Sequence, residues 1–173
     1  MSRATLTSIN KPHTDNIFTD NESKKKTVEW RTKPLPKGLH YVYETKNKGG
    51  CGKVIGEMTI VENIKYTDVS AIPHETILKG RVGARKLDLY ANGRPLYANV
   101  IVNAKRYDVP KELGEFSRYG YTHDELSGYC WNSDCKYWHN PNSRYSNIEP
   151  PECLLHGCVL NRPPQSYCYV EEL

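Results

Sequence analysis

Phenylalanine and methionine are scarce in this 173-residue chain, at two each, and no apolar run approaches the length of a membrane span. The first residues carry no apolar stretch of the kind that directs secretion, so a cytoplasmic location is expected. Without an export signal, an oxidised framework is not the natural reading of the six cysteines. They read instead as metal ligands and free thiols. There is no arginine-rich tail and no internal repeat; Lys24-Lys25-Lys26 is the densest basic cluster. Gly49-Gly50-Cys51-Gly52-Lys53 lacks the Walker spacing, and no Ser or Thr follows Lys53 to hold magnesium, which excludes a phosphate-binding loop of that type. A hairpin turn is the expected form, and Cys51 within it has no evident His or Asp partner for nucleophilic catalysis.

Tyrosine is abundant, at thirteen, beside three tryptophans. Amphipathic rings in that number suit strands with one wet face, or a surface that contacts rings or chains. Charge is uneven. Residues 1–53 hold eleven Lys and Arg against five Asp and Glu, a net of +6, whereas the remaining 120 net −2. A basic N-terminal face favours an anionic partner, and a solvated surface is the bland alternative.

Cys130-x4-Cys135 and Cys153-x4-Cys158 are two matched knuckles, seventeen residues apart. Four thiolates in two pairs can close a tetrahedron around one structural zinc ion, with His139 and His156 as alternate ligands. The interval is rich in Asn, Ser and Pro and has little to bury, so a metal staple would offset its ordering entropy. Trp131 and Trp138 lie in the same region.

Hydrophobic periodicity divides the rest. Strands are expected at Thr5–Ile9, Thr27–Lys33, Leu39–Thr45, Leu96–Lys105 and Gln165–Glu172, with Lys53–Tyr66 a bent strand carrying a bulge. Helices are expected over Pro12–Phe18 and over Ala84–Asn92, where Leu87, Tyr90 and Ala91 share a face and Gly93 supplies the stop. A loop surrounds Pro73, and Asp108-Val109-Pro110 ends the fifth strand before a helical turn over Pro110–Phe116. In Thr27–Lys33, Val28 and Trp30 alternate with Glu29 and Arg31, so core packing falls to Trp30 and the polar pair lies opposite, about 7 Å apart. Cys168 reads as a core thiol between Tyr167 and Tyr169, His13 as a surface or cap residue, and His40 as a possible border to a cleft.

The run Lys24-Lys25-Lys26-Thr27-Val28-Glu29-Trp30-Arg31 resembles the G-x-K-x-x-E-x-R signature of ASCH domains in the PUA-like superfamily, with Lys24 where glycine is usual. Lys53-Val54-Ile55-Gly56-Glu57 is similar to the family strand that reads hydrophobic pair, Gly, acid. The tail from Arg162 to Glu172 resembles the ending of small ASCH-like proteins of bacteria and their phages. The resemblance implies an α+β fold: a small PUA-like mixed β-barrel with one or two short helices over 1–116, a Cys-rich zinc-stabilised insertion over 117–161 and a closing strand over 162–173.

It also implies a cleft for RNA or a modified nucleotide, lined by Lys26, Thr27, Glu29 and Arg31 and assisted by Lys24, Lys25 and Lys53. A forked guanidinium suits phosphate or base edges, a carboxylate accepts from amines or hydroxyls, and an ammonium neutralises phosphate. Some ASCH proteins are amidohydrolases on acetylated cytidine, which would make Lys26 and Thr27 catalytic. Here Glu29 stands where that type places its threonine, and only His74 and Glu75 approximate the place of its acid. Binding without chemistry is therefore the preferred expectation. A third reading is an interaction protein, such as a phage inhibitor of a host nuclease or defence system.

Overall fold

The computed structural model describes residues 3–119, 160 and 162–173. The six candidate zinc ligands, with Trp131 and Trp138, lie outside the described residues. Among the described residues the elements in chain order are β1 (Arg3–Ile9), α1 (His13–Ile17), β2 (Val28–Arg31), β3 (Gly38–Glu44), β4 (Lys53–Tyr66), α2 (His74–Gly80), α3 (Ala84–Ala91), β5 (Leu96–Lys111) and β6 (Tyr167–Glu171), with three short 3-10 turns between them.

The strands form one mixed sheet in the order β2-β5-β4-β3-β1-β6. Among the described residues only the β1–β3 pair is parallel. Among the described residues the hydrogen-bonded order is open, with β2 and β6 at its edges, so the α+β class stands but the expected closed barrel does not. The sheet still rolls up: an edge residue, Arg31 of β2, donates from Nη2 to the Ser8 carbonyl of β1 at 2.8 Å. A side chain thus spans the seam that ladder hydrogen bonds leave open.

Period-two alternation separates the faces. On the inner face Ile9, Val42, Met58, Ile60 and Ile101 pack with Ile17 of α1 and with Leu35. Across β1 and β3 the outer face carries Ala4, Leu6, Tyr41 and Tyr43 against Phe116, Leu160 and Val170. Outside β2 and β5, Val28, Trp30, Leu96 and Ala98 meet Ile72, Leu87 and Ala91 from the helical segment.

The structure revises several local expectations. Residues 74–80 are helix, not loop. The buried side of α2 consists of Thr76 and Gly80, with Ile77 half-buried, so it offers almost no apolar signature. Gly80 is required by packing: a Cβ there would lie 1.9 Å from Trp30 Nε1. Strand β5 continues past Pro110, because β2 pairs only with residues 97–100 and the register against β4 is irregular between Arg106 and Lys111. A proline without an N–H is tolerated there. The fifth strand's later 3-10 turn is Leu113–Glu115. In α3, Leu87 and Ala91 are buried but Tyr90 is exposed. Its stop is Asn92 in the left-handed region, followed by Gly93. Cys168 is only partly buried, because β6 is an edge strand that leaves Tyr167 and Tyr169 exposed.

Candidate functional site

Strand β2 has two unlike faces, and both are buried. Val28 and Trp30 face the helices; Glu29 faces inward with 7 % of its side chain exposed. Lys26, at the strand entrance, is held by its own backbone N–H to the Asn16 carbonyl at 2.8 Å. Its side chain is 1 % exposed. Lys26 Nζ donates to the Gly80 carbonyl at 2.6 Å and lies 3.3 Å from Glu29 Oε2. On the other side of the carboxylate, Arg31 Nε is 3.1 Å from Glu29 Oε1, near enough for attraction but out of line for a hydrogen bond. Arg31 keeps 16 % of its side chain exposed, the largest share of the three.

Burial pushes the Lys26 amine below its ordinary range, and Glu29 only partly restores it. For Glu29, burial pushes upward, yet the charges of Lys26, Arg31 and His13 together hold the carboxyl below its usual range. His13, on α1, belongs to the same field. Burial first, then Lys26, lowers its pKa; Lys48 and Arg31 add to the effect while Glu29 opposes it. Its Nδ1 is buried without a hydrogen-bond partner. The sequence suggests a surface or cap role for His13, which is the first residue of α1; no local pattern joins it to Lys26 and Glu29, and only the placement of α1 against the sheet does.

Two further polar groups complete the inner wall. His40, fully buried, donates from Nε2 to the Pro36 carbonyl at 2.7 Å, so Nδ1 is left to accept from the Thr7 hydroxyl at 2.7 Å. Burial lowers its pKa to about 4, which makes it a neutral interior group rather than a cleft border. Asn99, also missed from sequence, sits opposite Glu29 in the β2–β5 register and donates to the Glu29 carbonyl at 2.8 Å. Its Oδ1 accepts from the Leu35 N–H at 2.8 Å, tying β2 to the Pro-rich turn.

The expected cleft set therefore divides. Lys26, Glu29 and Arg31 meet; Lys26 and Glu29 are sealed rather than lining open space, which leaves Arg31 to face outward. Half-buried Thr27 is fixed through its backbone, its N–H to Lys79 O at 3.0 Å and its carbonyl to Ile101 N at 2.9 Å. Lys24 is exposed, Lys25 pairs with Glu22 at 3.0 Å, and Lys53 pairs with Glu112. His74 and Glu75 are exposed on α2, where Glu75 is 3.8 Å from Lys79. On the inner face of β6, Tyr167 and Tyr169 have ring centroids 6.1 Å apart, and Arg3 lies 4.3 Å above Tyr169.

No protein-family model and no curated protein sequence matches the chain. Solved structures do. The ASCH protein from Zymomonas mobilis is 18 % identical with a TM-score of 0.57, covering 98 % of this chain and 88 % of that one. One of its point mutants gives 17 % identity, a TM-score of 0.58 and coverage of 98 % and 89 %. Another gives 20 %, 0.52, and coverage of 64 % and 76 %. At such identities the likeness is one of architecture: the chain has an ASCH-like fold.

Proposed function

We propose that the protein binds RNA or a nucleotide at the inner face of its rolled sheet, with Arg31 as the ligand-facing cation. The observation that carries this reading is a buried Lys26–Glu29–Arg31 network in which only Arg31 reaches solvent. Ionic groups buried this way contribute little net stability, because desolvation offsets most of their attraction. Perturbed titratable groups gathered at one place are a mark of functional sites. Glu29 orients the guanidinium, and Lys26 keeps Glu29 charged without leaving an uncompensated anion in the interior. Arg31 then presents its remaining donors beside His13, whose Nδ1 is also unspent. Tyr167 and Tyr169 on the same sheet face give bases a stacking surface.

The test is fluorescence anisotropy with a labelled single-stranded RNA octamer and with mononucleotides at low and high salt. Arg31→Ala is expected to weaken binding about ten- to hundredfold, the scale of charge-assisted hydrogen bonds. Unchanged affinity in that variant, or no binding by the intact protein, would overturn the reading.

A second reading, deacylation of an acylated nucleoside, draws on the lowered pKa of the Lys26 amine, which burial brings nearer to nucleophilic range. That amine is enclosed between Gly80 O and Glu29, so substrate access requires α2 to move. Acetate release from N-acetylcytidine that disappears in Lys26→Ala is the outcome this reading requires.

A further inference from the structure

A second cationic surface lies on the far side of β2, where the helices cover Val28 and Trp30. Residues 79–94 hold five Lys and Arg against a single Asp, although the 120 residues after Lys53 net −2. Lys79, Arg81, Arg85, Lys86 and Arg94 are all exposed. Hydrogen bonds fix this segment beside the basic run that precedes β2. The Thr27 N–H donates to the Lys79 carbonyl at 3.0 Å, and Arg81 donates from Nε to the Lys25 carbonyl at 3.1 Å. The corner between α2 and α3 therefore adjoins exposed Lys24.

Local structure does not account for these charges. Arg81 ends α2 in the left-handed region, at φ 52°, where glycine would be unstrained. Helix α3 opens with no acid in its first turn, and Arg85 and Lys86 stand there against the helix dipole. Among the described residues the side chains of Lys24, Arg85 and Lys86 have no hydrogen bond or ion pair. The acids of the segment are few: Glu75 is 3.8 Å from Lys79, and Asp88 is exposed on α3. Arg94 is spent on the Tyr90 and Ala91 carbonyls that end α3.

We propose that Lys24, Arg81, Arg85 and Lys86 form a ridge that binds the phosphodiester backbone of RNA without reading its bases. The inference rests on the reading given for Arg31: that site takes a nucleotide, and the ridge takes the chain that leaves it. A polyanion is the complement of a surface so poor in acids. A membrane is a poorer fit. The apolar side of α3, Leu87 and Ala91, is spent on the core, and exposed Leu89 and Tyr90 each follow a cation by one turn instead of forming a separate strip.

Fluorescence anisotropy with a labelled oligouridine of about 24 nucleotides, beyond the span of one single-strand site, tests it beside uridine monophosphate. Arg85→Gln/Lys86→Gln is expected to weaken oligomer binding about tenfold, to reduce the slope of log affinity against log salt by about 1.4, and to leave the mononucleotide unchanged. Lys37→Gln/Lys105→Gln removes the same charge from exposed positions elsewhere and is expected to change affinity by less than about threefold, because distant charges are screened. In Arg31→Ala the mononucleotide is lost, while the remaining oligomer binding still depends on Arg85 and Lys86. Unchanged oligomer affinity in Arg85→Gln/Lys86→Gln, an equal loss in the control pair, or capture by phosphatidylserine vesicles without oligomer binding would each overturn the proposal. Mononucleotide affinity indifferent to Arg31 overturns the Arg31 reading alone, so the two failures are distinguishable.

Discussion

Glu29 and Glu44 are both buried carboxylates, and they are satisfied in opposite ways. Glu44, on β3, accepts from the Thr14 hydroxyl of α1 at 2.6 Å and from the Cys51 N–H of the Gly-rich turn at 2.8 Å. Burial pushes its pKa up; these neutral donors, aided by Lys11, bring it below the ordinary value. Glu29 is held down chiefly by full charges, Lys26 before Arg31. The difference is instructive. Neutral donors aimed from two neighbouring elements fasten a helix and a turn to a strand. Two cations around one carboxylate instead create a net positive cluster, and Arg31 carries the surplus toward solvent. Glu44 reads as a fastener, Glu29 as the mount for a charge.

The largest expected effect comes from Glu29→Ala, which strands the Lys26 ammonium in the interior. Urea denaturation is expected to show a loss of about 3–5 kcal/mol. The double variant Lys26→Met/Glu29→Leu sharpens the contrast. It removes the pair as an apolar unit and is expected to recover most of that stability while RNA affinity stays low, since Arg31 has lost its support. A double variant as unstable as Glu29→Ala would show the network to be mainly structural.

A third buried titratable group, His40, adds its own pH response to the same wall. Its folded pKa of about 4 lies below the ordinary 6.5, so the unfolded chain binds more protons throughout that window. Stability contributed by neutral His40 is complete above about 6.5 and is lost as pH falls toward 4, amounting to about 3 kcal/mol. Thermal melts between pH 7 and 4 are expected to fall steeply, and His40→Gln to flatten the slope. Glu29 and Glu44, both depressed, lose their contributions only at lower pH, through their folded values. Acid titration alone therefore does not separate the two carboxylates.

Glu44→Ala is expected to cost about 1–3 kcal/mol, the scale of losing hydrogen bonds to a buried carboxylate, and to raise amide exchange in α1 and in the 46–52 turn with RNA binding retained. Loss of binding would break the distinction drawn between the two acids. Smallest is Arg31→Lys, expected to lower stability by about 1 kcal/mol through the Ser8 contact. It weakens RNA binding several-fold, because an ammonium cannot reproduce the guanidinium fork.

Much of the fold was legible because alternation is a local signal. The Lys53–Tyr66 strand was expected with its observed bounds, and Val28 and Trp30 were assigned to one packed face of β2. Where the signal was not local, the reading failed. Helix α2 buries a threonine and a glycine, so it looks like loop in the chain. Pro110 looked like a strand end because its tolerance depends on an irregular pairing fixed by β4. The Lys26, Glu29 and Arg31 cluster was visible as a motif, but its burial was not. Depth depends on α1, on Gly80 and on the curl that brings Arg31 to Ser8, each supplied by a distant part of the chain.

By itself the sequence determined which residues alternate across β2, the basic bias of the first 53 residues and the spacing of the polar trio. The tertiary structure alone decided that two of the trio are enclosed and one faces outward, that His13 joins them, and that Arg81 is fastened beside Lys25. The reason is physical: periodicity fixes the side of a strand on which a residue lies, whereas exposure and charge coupling depend on which distant segments pack over that side.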